Sequence, residues 1–260
     1  MASEPGKIDP MHQFEVQTIS ELFTLGGQQI AFTNSALWML ITLGALWAFM
    51  MGGMRRQLVP GRWQMAVEGI TSGISNMMQA NIGPEGKKYT PYVFSLFMFI
   101  LFANVIGLLP VGILGLHPFT VTSHLTITGV LAIVSFGIVL IVGFAKHGFH
   151  FFSLFVPHGT PKPMIPLIFV IELVSFLVRP FSLALRLFVA MTAGHILLKV
   201  LGGFVINGTN AGVGYAFLVG LPSFTLMVGI SALELLVAVI QAYVFALLTS
   251  LYINDAVNLH

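Results

Sequence analysis

Two long apolar stretches of the sequence contain ionisable and amide side chains at regular intervals. The stretches run from Met164 to Ile206 and from Leu218 to Ile253, and they carry most of the charged groups found in apolar segments. A charge placed in an apolar medium is unstable by about 2.5 to 3.5 kcal/mol on membrane-insertion scales, so each residue needs a partner or a function. The residues concerned are Glu172, Arg179, Arg186, His195 and Lys199 in the first stretch, and Glu234, Gln241 and, at its end, Asp255 in the second.

The spacing places several of these residues on common helix faces. Glu172, Arg179 and Arg186 recur every seven residues and therefore share one face, whereas His195 lies on the opposite face of the same helix. An antiparallel pairing with Arg186 level with Gln241 brings His195 within about two residues of Glu234. The same pairing makes two carboxylates level at the other end, namely Glu172 and Asp255.

These residue types favour proton transfer with a fixed cation in the middle. Carboxylates and an imidazole can exchange protons near neutral pH, whereas the guanidinium of Arg186 stays protonated and can only block a route or pair with a carboxylate. A structural ion pair within the helix is the alternative for Arg186, but Glu172 lies about 21 Å away along the axis. Arg179, which precedes a proline, fits an anchoring role equally well, and His195 with Glu234 can also form a purely structural pair.

The composition indicates that these stretches lie in a membrane. Hydrophobic residues make up 57% of the chain and charged residues 8%, with a mean hydropathy of +0.94. Three further segments reach the roughly 20 apolar residues that cross a bilayer, at 35–54, 91–109 and 125–144. The segment from Arg62 to Asn81 has mixed polarity and is predicted to be an interfacial helix.

The two long stretches exceed the thickness of a bilayer. As helices, 164–206 and 218–253 would measure roughly 60 and 50 Å, against a hydrocarbon core of about 30 Å. We therefore predict an all-α membrane protein with three roughly upright transmembrane helices, an interfacial helix and two long, strongly tilted helices that form an antiparallel pair. The predicted division is an N-terminal extramembrane segment, 1–34, and a single membrane domain, 35–260.

Basic residues predict the orientation of the chain in the membrane. Arg55, Arg56, Arg62, Lys87 and Lys88 fall in one connection, which the positive-inside rule assigns to the cytoplasm. This places the N-terminus outside and the C-terminus in the cytoplasm.

Other classes of function find little support in the sequence. The chain has no cysteine, and no nucleotide-binding or hydrolase motif occurs, so we expect no catalytic residues, no metal site and no cofactor. The net charge of +2 forms no basic patch of the kind that binds nucleic acid. A proton- or ion-coupled secondary transporter remains the alternative, although no internal repeat is evident.

Four segments resemble the a subunit of F-type (rotary) ATP synthases, of the bacterial and mitochondrial kind. Two of them, SLALRLFVAMTAGHILL and LELLVAVIQAYVFALLTSLYI, are long and follow each other in the order expected of that family, and the shorter FANVIGLLP and TSHLTIT resemble its matching earlier parts. The resemblance implies a proton-translocating stator subunit that is not an enzyme on its own. Its two half-channels would deliver protons to and from the carboxylates of a c-ring and so couple proton flow to rotation and ATP synthesis. The partners implied are the c-ring, b-type subunits of the peripheral stalk, membrane lipid and protons.

The resemblance also assigns roles to individual residues. Arg186 matches the arginine that pairs with the ring carboxylate, and Gln241 matches the amide that faces it. His195 and Glu234 match the outer half-channel, while Glu172 and Ser175 match positions of the inner one. Further candidates for channel lining are Asn104, Ser123, His124 and Asp255. One departure is visible, because Val189-Ala190 follows where the family commonly has a small residue and an asparagine.

Overall fold

Helices dominate the structure of the chain. The computed structural model describes residues 16–25, 28–54, 61–109, 119–156, 162–210 and 212–258. The main elements are the strands β1 (Thr18–Leu25) and β2 (Gln28–Thr33) and the helices α1 (Asn34–Gly53), α2 (Arg62–Ile82), α3 (Thr90–Leu108), α4 (Leu125–His147), α5 (Ile165–Asn210), the single turn α6 (Val213–Tyr215) and α7 (Leu221–Val257). Short 3-10 segments cover Pro84–Lys88, Val121–Ser123, Gly148–Phe155 and Lys162–Met164, and a π-helical turn covers Ala216–Gly220.

The predicted membrane segments agree with the helices within a few residues. Among the described residues, five helical segments are long and apolar enough to cross a membrane, which identifies a multi-pass integral membrane protein. The first long stretch forms one helix of 46 residues that continues through Pro180, and the second forms a helix of 37 residues. The helix predicted at Arg62–Asn81 is present as α2.

A two-stranded antiparallel hairpin precedes the first helix, and the sequence analysis did not predict it. Strands β1 and β2 pair Thr18 with Thr33 and Leu25 with Gln28. The hairpin continues directly into α1. Thr33, the last residue of β2, caps this helix, since its hydroxyl accepts a hydrogen bond from the backbone N–H of Ala36 at 3.4 Å. The signal was the sequence Gly26-Gly27 between two runs of strand-forming residues, a common hairpin pattern.

Small residues let α7 pack closely into the centre of the bundle. Ala238, Ala242 and Ala246 follow one another at intervals of four and are fully buried. Helices in membranes associate through such faces because small side chains allow their backbones to approach. At the far end of the pair, a Cβ atom on Gly208 would lie 3.2 Å from the Cα of Gly220, so α5 nearly touches the turn before α7.

Helices α5 and α7 run antiparallel and are joined by an ion pair near the start of α5. The guanidinium of Arg179 donates to the carboxylate of Asp255 at 2.7 Å. The same guanidinium lies over the rings of Phe176 and Tyr252, 5.5 and 4.9 Å from their centroids. Arg179 thus makes the contacts that an anchoring role requires.

Further polar contacts hold the helices together on the side of the bundle where α7 ends. Lys146 pairs with Glu85, and this hydrogen bond and charge lower the pKa of the Glu85 carboxyl, which therefore stays ionised near neutral pH. The imidazole Nε2 of His147 lies 3.0 Å from the carbonyl oxygen of Val257, and Asn81 donates to the hydroxyl of Ser250 at 2.6 Å. The ends of α2, α4 and α7 therefore lie on one side of the protein.

Breaking the Arg179–Asp255 pair should weaken the packing of α5 on α7. In a double-mutant cycle with Arg179→Gln and Asp255→Asn, we expect a coupling of about 1 to 2 kcal/mol, because the pair is charge-assisted but partly exposed. The measurement is the free energy of unfolding of the detergent-solubilised chain. Arg62→Gln removes an exposed arginine of α2 and serves as the control; a coupling near zero would remove the anchoring role.

Candidate functional site

Six polar residues form a cluster between α3, the 119–123 segment, α5 and α7. We call it the His195 cluster, and its members are Asn104, Thr120, Thr122, Ser123, His195 and Glu234. The imidazole Nε2 of His195 lies 2.6 Å from the hydroxyl of Thr120, and its Nδ1 lies 3.6 Å from a carboxylate oxygen of Glu234. The structure therefore brings together the two side chains that the helix register paired.

Neutral hydrogen bonds hold the rest of the His195 cluster in place. The hydroxyl of Thr122 donates to the amide oxygen of Asn104 at 2.7 Å, and the amide nitrogen of Asn104 donates to the carbonyl of Ala238 at 3.2 Å. The hydroxyl of Ser123 donates to the carbonyl of Thr120 at 2.6 Å. The 119–123 segment is thereby attached to α3, and α3 to α7.

Glu234 is the most deeply buried ionisable residue of the cluster. It is 3% exposed, and neither carboxylate oxygen has a hydrogen-bond partner among the described residues. Gly194 provides the space for it, since a Cβ atom there would lie 2.5 Å from the carboxylate oxygen Oε1. The Glu234 carboxylate thus has one ionisable neighbour within ion-pair distance in the described structure, and this neighbour is His195.

Arg186 lies on an open surface of α5 between the His195 cluster and the Arg179–Asp255 pair. Its side chain is exposed, and none of the hydrogen bonds or ion pairs between described residues involves its guanidinium. Its neighbours on the surface are apolar, with Leu185 and Val189 about half exposed at 47 and 54%. Gln241 is partly buried on α7.

The remaining candidates lie nearer to the start of α5 and the end of α7. Glu172 is partly exposed and Ser175 is exposed. The predicted register made Glu172 level with Asp255, but the carboxylate of Asp255 binds Arg179, one heptad further along α5. The predicted register assumed that residues on α5 and α7 contact each other only at the same level. It took no account of the length of an arginine side chain, which extends beyond its own level on the helix.

The structure also adds residues that the sequence analysis did not single out. Thr120 contacts His195, and Gly107 makes room for it, because a Cβ atom on Gly107 would lie 2.4 Å from the Thr120 hydroxyl. His124, a predicted lining residue, stacks on Phe119 at 4.7 Å and leaves its Nε2 buried without a partner among the described residues. The sequence feature that could have indicated Thr120 was its position next to the polar run 122–126.

The arrangement suits proton exchange better than metal binding or covalent catalysis. No group of three or more His, Cys, Asp or Glu residues within metal-binding distance occurs in the described part of the chain. A buried carboxylate beside an imidazole can pass a proton between an oxygen and a nitrogen.

Comparison with known proteins agrees with this chemistry. The family model described as the ATP synthase A chain matches residues 35–254. The chain is 74% identical to the ATP synthase subunit a of Sphingopyxis alaskensis and 71% identical to that of Erythrobacter litoralis, with full coverage of both partners. It is 45% identical to the ATP synthase subunit a of Rhodospirillum rubrum, over 96% of this chain and 99% of that one. The chain therefore belongs to the ATP synthase A chain family, as a membrane subunit of the complex and not as an enzyme on its own.

Proposed function

We propose that the chain conducts protons through two half-channels, which deliver protons to a c-ring and take them from it, and so couples proton flow to rotation and ATP synthesis. The observation that carries the proposal is the position of Arg186, which is exposed, has no hydrogen-bond or ion-pair partner among the described residues, and lies between the His195 cluster and the Arg179–Asp255 pair. Along α7, Glu234 and Asp255 are 21 residues apart, which corresponds to about 31 Å of helix. The family match gives no support to the alternative of a secondary transporter.

Arg186 separates the two half-channels and pairs with a carboxylate of the ring. A fixed guanidinium cannot carry a proton through the site, because it does not deprotonate at physiological pH. An arriving ring carboxyl group is neutral in lipid, and a nearby cation favours its ionised form and thus the release of its proton. The apolar surface around Arg186 fits a partner within the membrane, and Gln241 supplies an amide that can bind the same carboxylate.

The His195 cluster forms the outer half-channel, with Asn104, Ser123 and His124 at its lining. Protons arriving from outside in the direction of synthesis pass between His195 and Glu234. Glu172, Ser175 and Asp255 belong to the inner half-channel, with Asp255 held by Arg179. The 3.6 Å between His195 and Glu234 closes to hydrogen-bond distance by a small side-chain movement.

The contacts between helix ends, together with the positions of the basic residues, support an orientation of the chain in the bacterial inner membrane. The ends of α2, α4 and α7 lie together, and the basic residues Lys87, Lys88 and Lys146 belong to that side. By the positive-inside rule this side faces the cytoplasm, with the C-terminus there and the N-terminal hairpin outside. We place α2 at the membrane interface and infer that α5 and α7 lie strongly tilted, because both exceed the hydrocarbon thickness. The peripheral stalk, through its b-type subunits, is the other expected partner.

Replacing Arg186 should uncouple proton flow from synthesis. In the assembled complex, Arg186→Ala removes the barrier, so we expect ATP synthesis at background level while passive proton conduction through the membrane sector persists or increases. Arg186→Lys should also fail, since a buried amine can lose its proton and lacks the planar, weakly hydrated fork of arginine. The measurements are proton-driven ATP synthesis and passive proton uptake in vesicles.

Arg62→Ala is the control, because it removes an exposed arginine outside the proposed route. It should leave both activities near the wild-type value. Normal synthesis by assembled Arg186→Ala would refute the proposed coupling. Poor assembly of the variant would also refute it if the fraction that does assemble conducts protons like the wild type.

Exchanging His195 and Glu234 should preserve part of the proton route. We expect His195→Ala and Glu234→Gln each to slow ATP-driven proton pumping about tenfold or more, as positioned proton-transfer groups contribute on the order of a hundredfold. The double variant His195→Glu with Glu234→His keeps an acid beside an imidazole and should pump faster than either single exchange. Full-rate pumping by both single replacements would contradict the assignment; Glu68→Gln, on the exposed side of α2, is the control.

A further inference from the structure

We propose that Thr120 is a positioning residue for proton transfer, whose hydroxyl keeps the His195 ring oriented toward Glu234 in every protonation state. The inference deepens the proposed function and rests on it. It assigns to the 119–123 segment a part in the proton route that charge and helix spacing do not indicate.

The position of Thr120 is fixed from several sides. The residue is 6% exposed, and its carbonyl oxygen accepts hydrogen bonds from both the backbone N–H and the hydroxyl of Ser123, at 3.1 and 2.6 Å. Its side chain fits against Gly107 of α3, where any Cβ atom would collide with it. The hydroxyl therefore meets the imidazole from a defined direction, at 2.6 Å from Nε2.

A hydroxyl suits this position because it can both donate and accept a hydrogen bond. When the proton of neutral His195 is on Nδ1, facing Glu234, the Thr120 hydroxyl donates to the bare Nε2. When the proton is on Nε2, that N–H donates to the Thr120 oxygen and Nδ1 is free to accept. A proton then moves from the Glu234 carboxyl to Nδ1, breaking an O–H bond and forming an N–H bond, and leaves a carboxylate beside an imidazolium.

The imidazolium formed in this step donates from both nitrogens, to Glu234 on one side and to Thr120 on the other. Rotation of one C–O bond in Thr120 therefore keeps Nε2 hydrogen-bonded in all three states without movement of the ring. An amide or a carboxylate at position 120 would favour one state over the others, since its donor or acceptor atoms are fixed or charged. The geometry thus points to a hydroxyl as the functional requirement at this site.

Two substitutions separate this role from a packing role. Thr120→Val keeps the volume but removes the hydroxyl, and Thr120→Ser keeps the hydroxyl but removes a buried methyl group. If Thr120 only fills space, valine should be tolerated better than serine. If it positions His195, serine should retain most of the activity, and valine should lower it about tenfold, since a hydrogen bond to a charged group contributes on the order of one tenfold step or more.

The experiment measures ATP-driven proton pumping in vesicles, with each rate divided by the amount of assembled complex. We expect Thr120→Ser to pump at more than about half of the wild-type rate and Thr120→Val at about a tenth. Gly107→Ala should resemble Thr120→Val, because its methyl group would displace the hydroxyl from His195. Gly129→Ala on α4, where an added Cβ meets nothing within 4 Å, is the matched control and should leave pumping unchanged.

The outcome distinguishes this inference from the proposed function itself. If Glu234→Gln and His195→Ala lose pumping while Thr120→Val equals or exceeds Thr120→Ser, the proton route stands and the role of Thr120 is refuted. If Glu234→Gln and His195→Ala pump normally, the proposed function fails first. Serine above valine, together with loss in Gly107→Ala and none in Gly129→Ala, supports the positioning role.

Discussion

The arrangement of this protein depends on the free energy of placing charged groups inside a membrane. Every ionisable residue of α5 and α7 must be neutral, paired or placed where a partner can reach it. Arg179 meets this condition within the chain through Asp255 and two aromatic rings. Arg186, seven residues away on the same helix, is exposed without such a partner in the described structure. Two arginines of one helix face thus differ in their surroundings, because the chain supplies a counter-charge to Arg179 and the described residues supply none to Arg186.

Close approach of the helices is what makes the polar contacts possible. The buried alanines of α7 let that helix pack into the centre of the bundle, and Gly194 of α5 leaves room for Glu234 to lie against α5. Gly107 does the same for α3 and Thr120. A Cβ atom at either glycine would collide with the Glu234 carboxylate or the Thr120 hydroxyl and displace it. The small residues therefore belong to the functional arrangement as much as the ionisable ones do, although they carry no chemistry themselves.

The sequence predicted the features that follow from periodicity and hydropathy. The apolar helices, the length of α5 and α7, and the contact of His195 with Glu234 all result from regular spacing along straight helices. The contacts that were not predicted involve connecting segments or long side chains. Thr120 lies outside any regular helix, so no spacing rule relates it to His195, and Arg179 reaches Asp255 because an arginine side chain extends well beyond its own level on the helix. The N-terminal hairpin was missed because a search for apolar runs passes over the Gly-Gly pair in the sequence between its two strands.

The surroundings of His195 show why most of its neighbours are neutral. A fixed charge in direct contact with the imidazole would favour one of its protonation states, and the proton would then be retained instead of passed on. The hydroxyls and the amide of Thr120, Thr122, Ser123 and Asn104 orient the site through hydrogen bonds without adding charge. Glu234, at 3.6 Å, supplies the acidic partner, close enough for transfer after a small movement, while the positive charge of Lys199, one turn further along α5, also interacts with the imidazole. A proton route built from one acid, one base and several neutral hydrogen-bonding groups can return to its starting state after each proton.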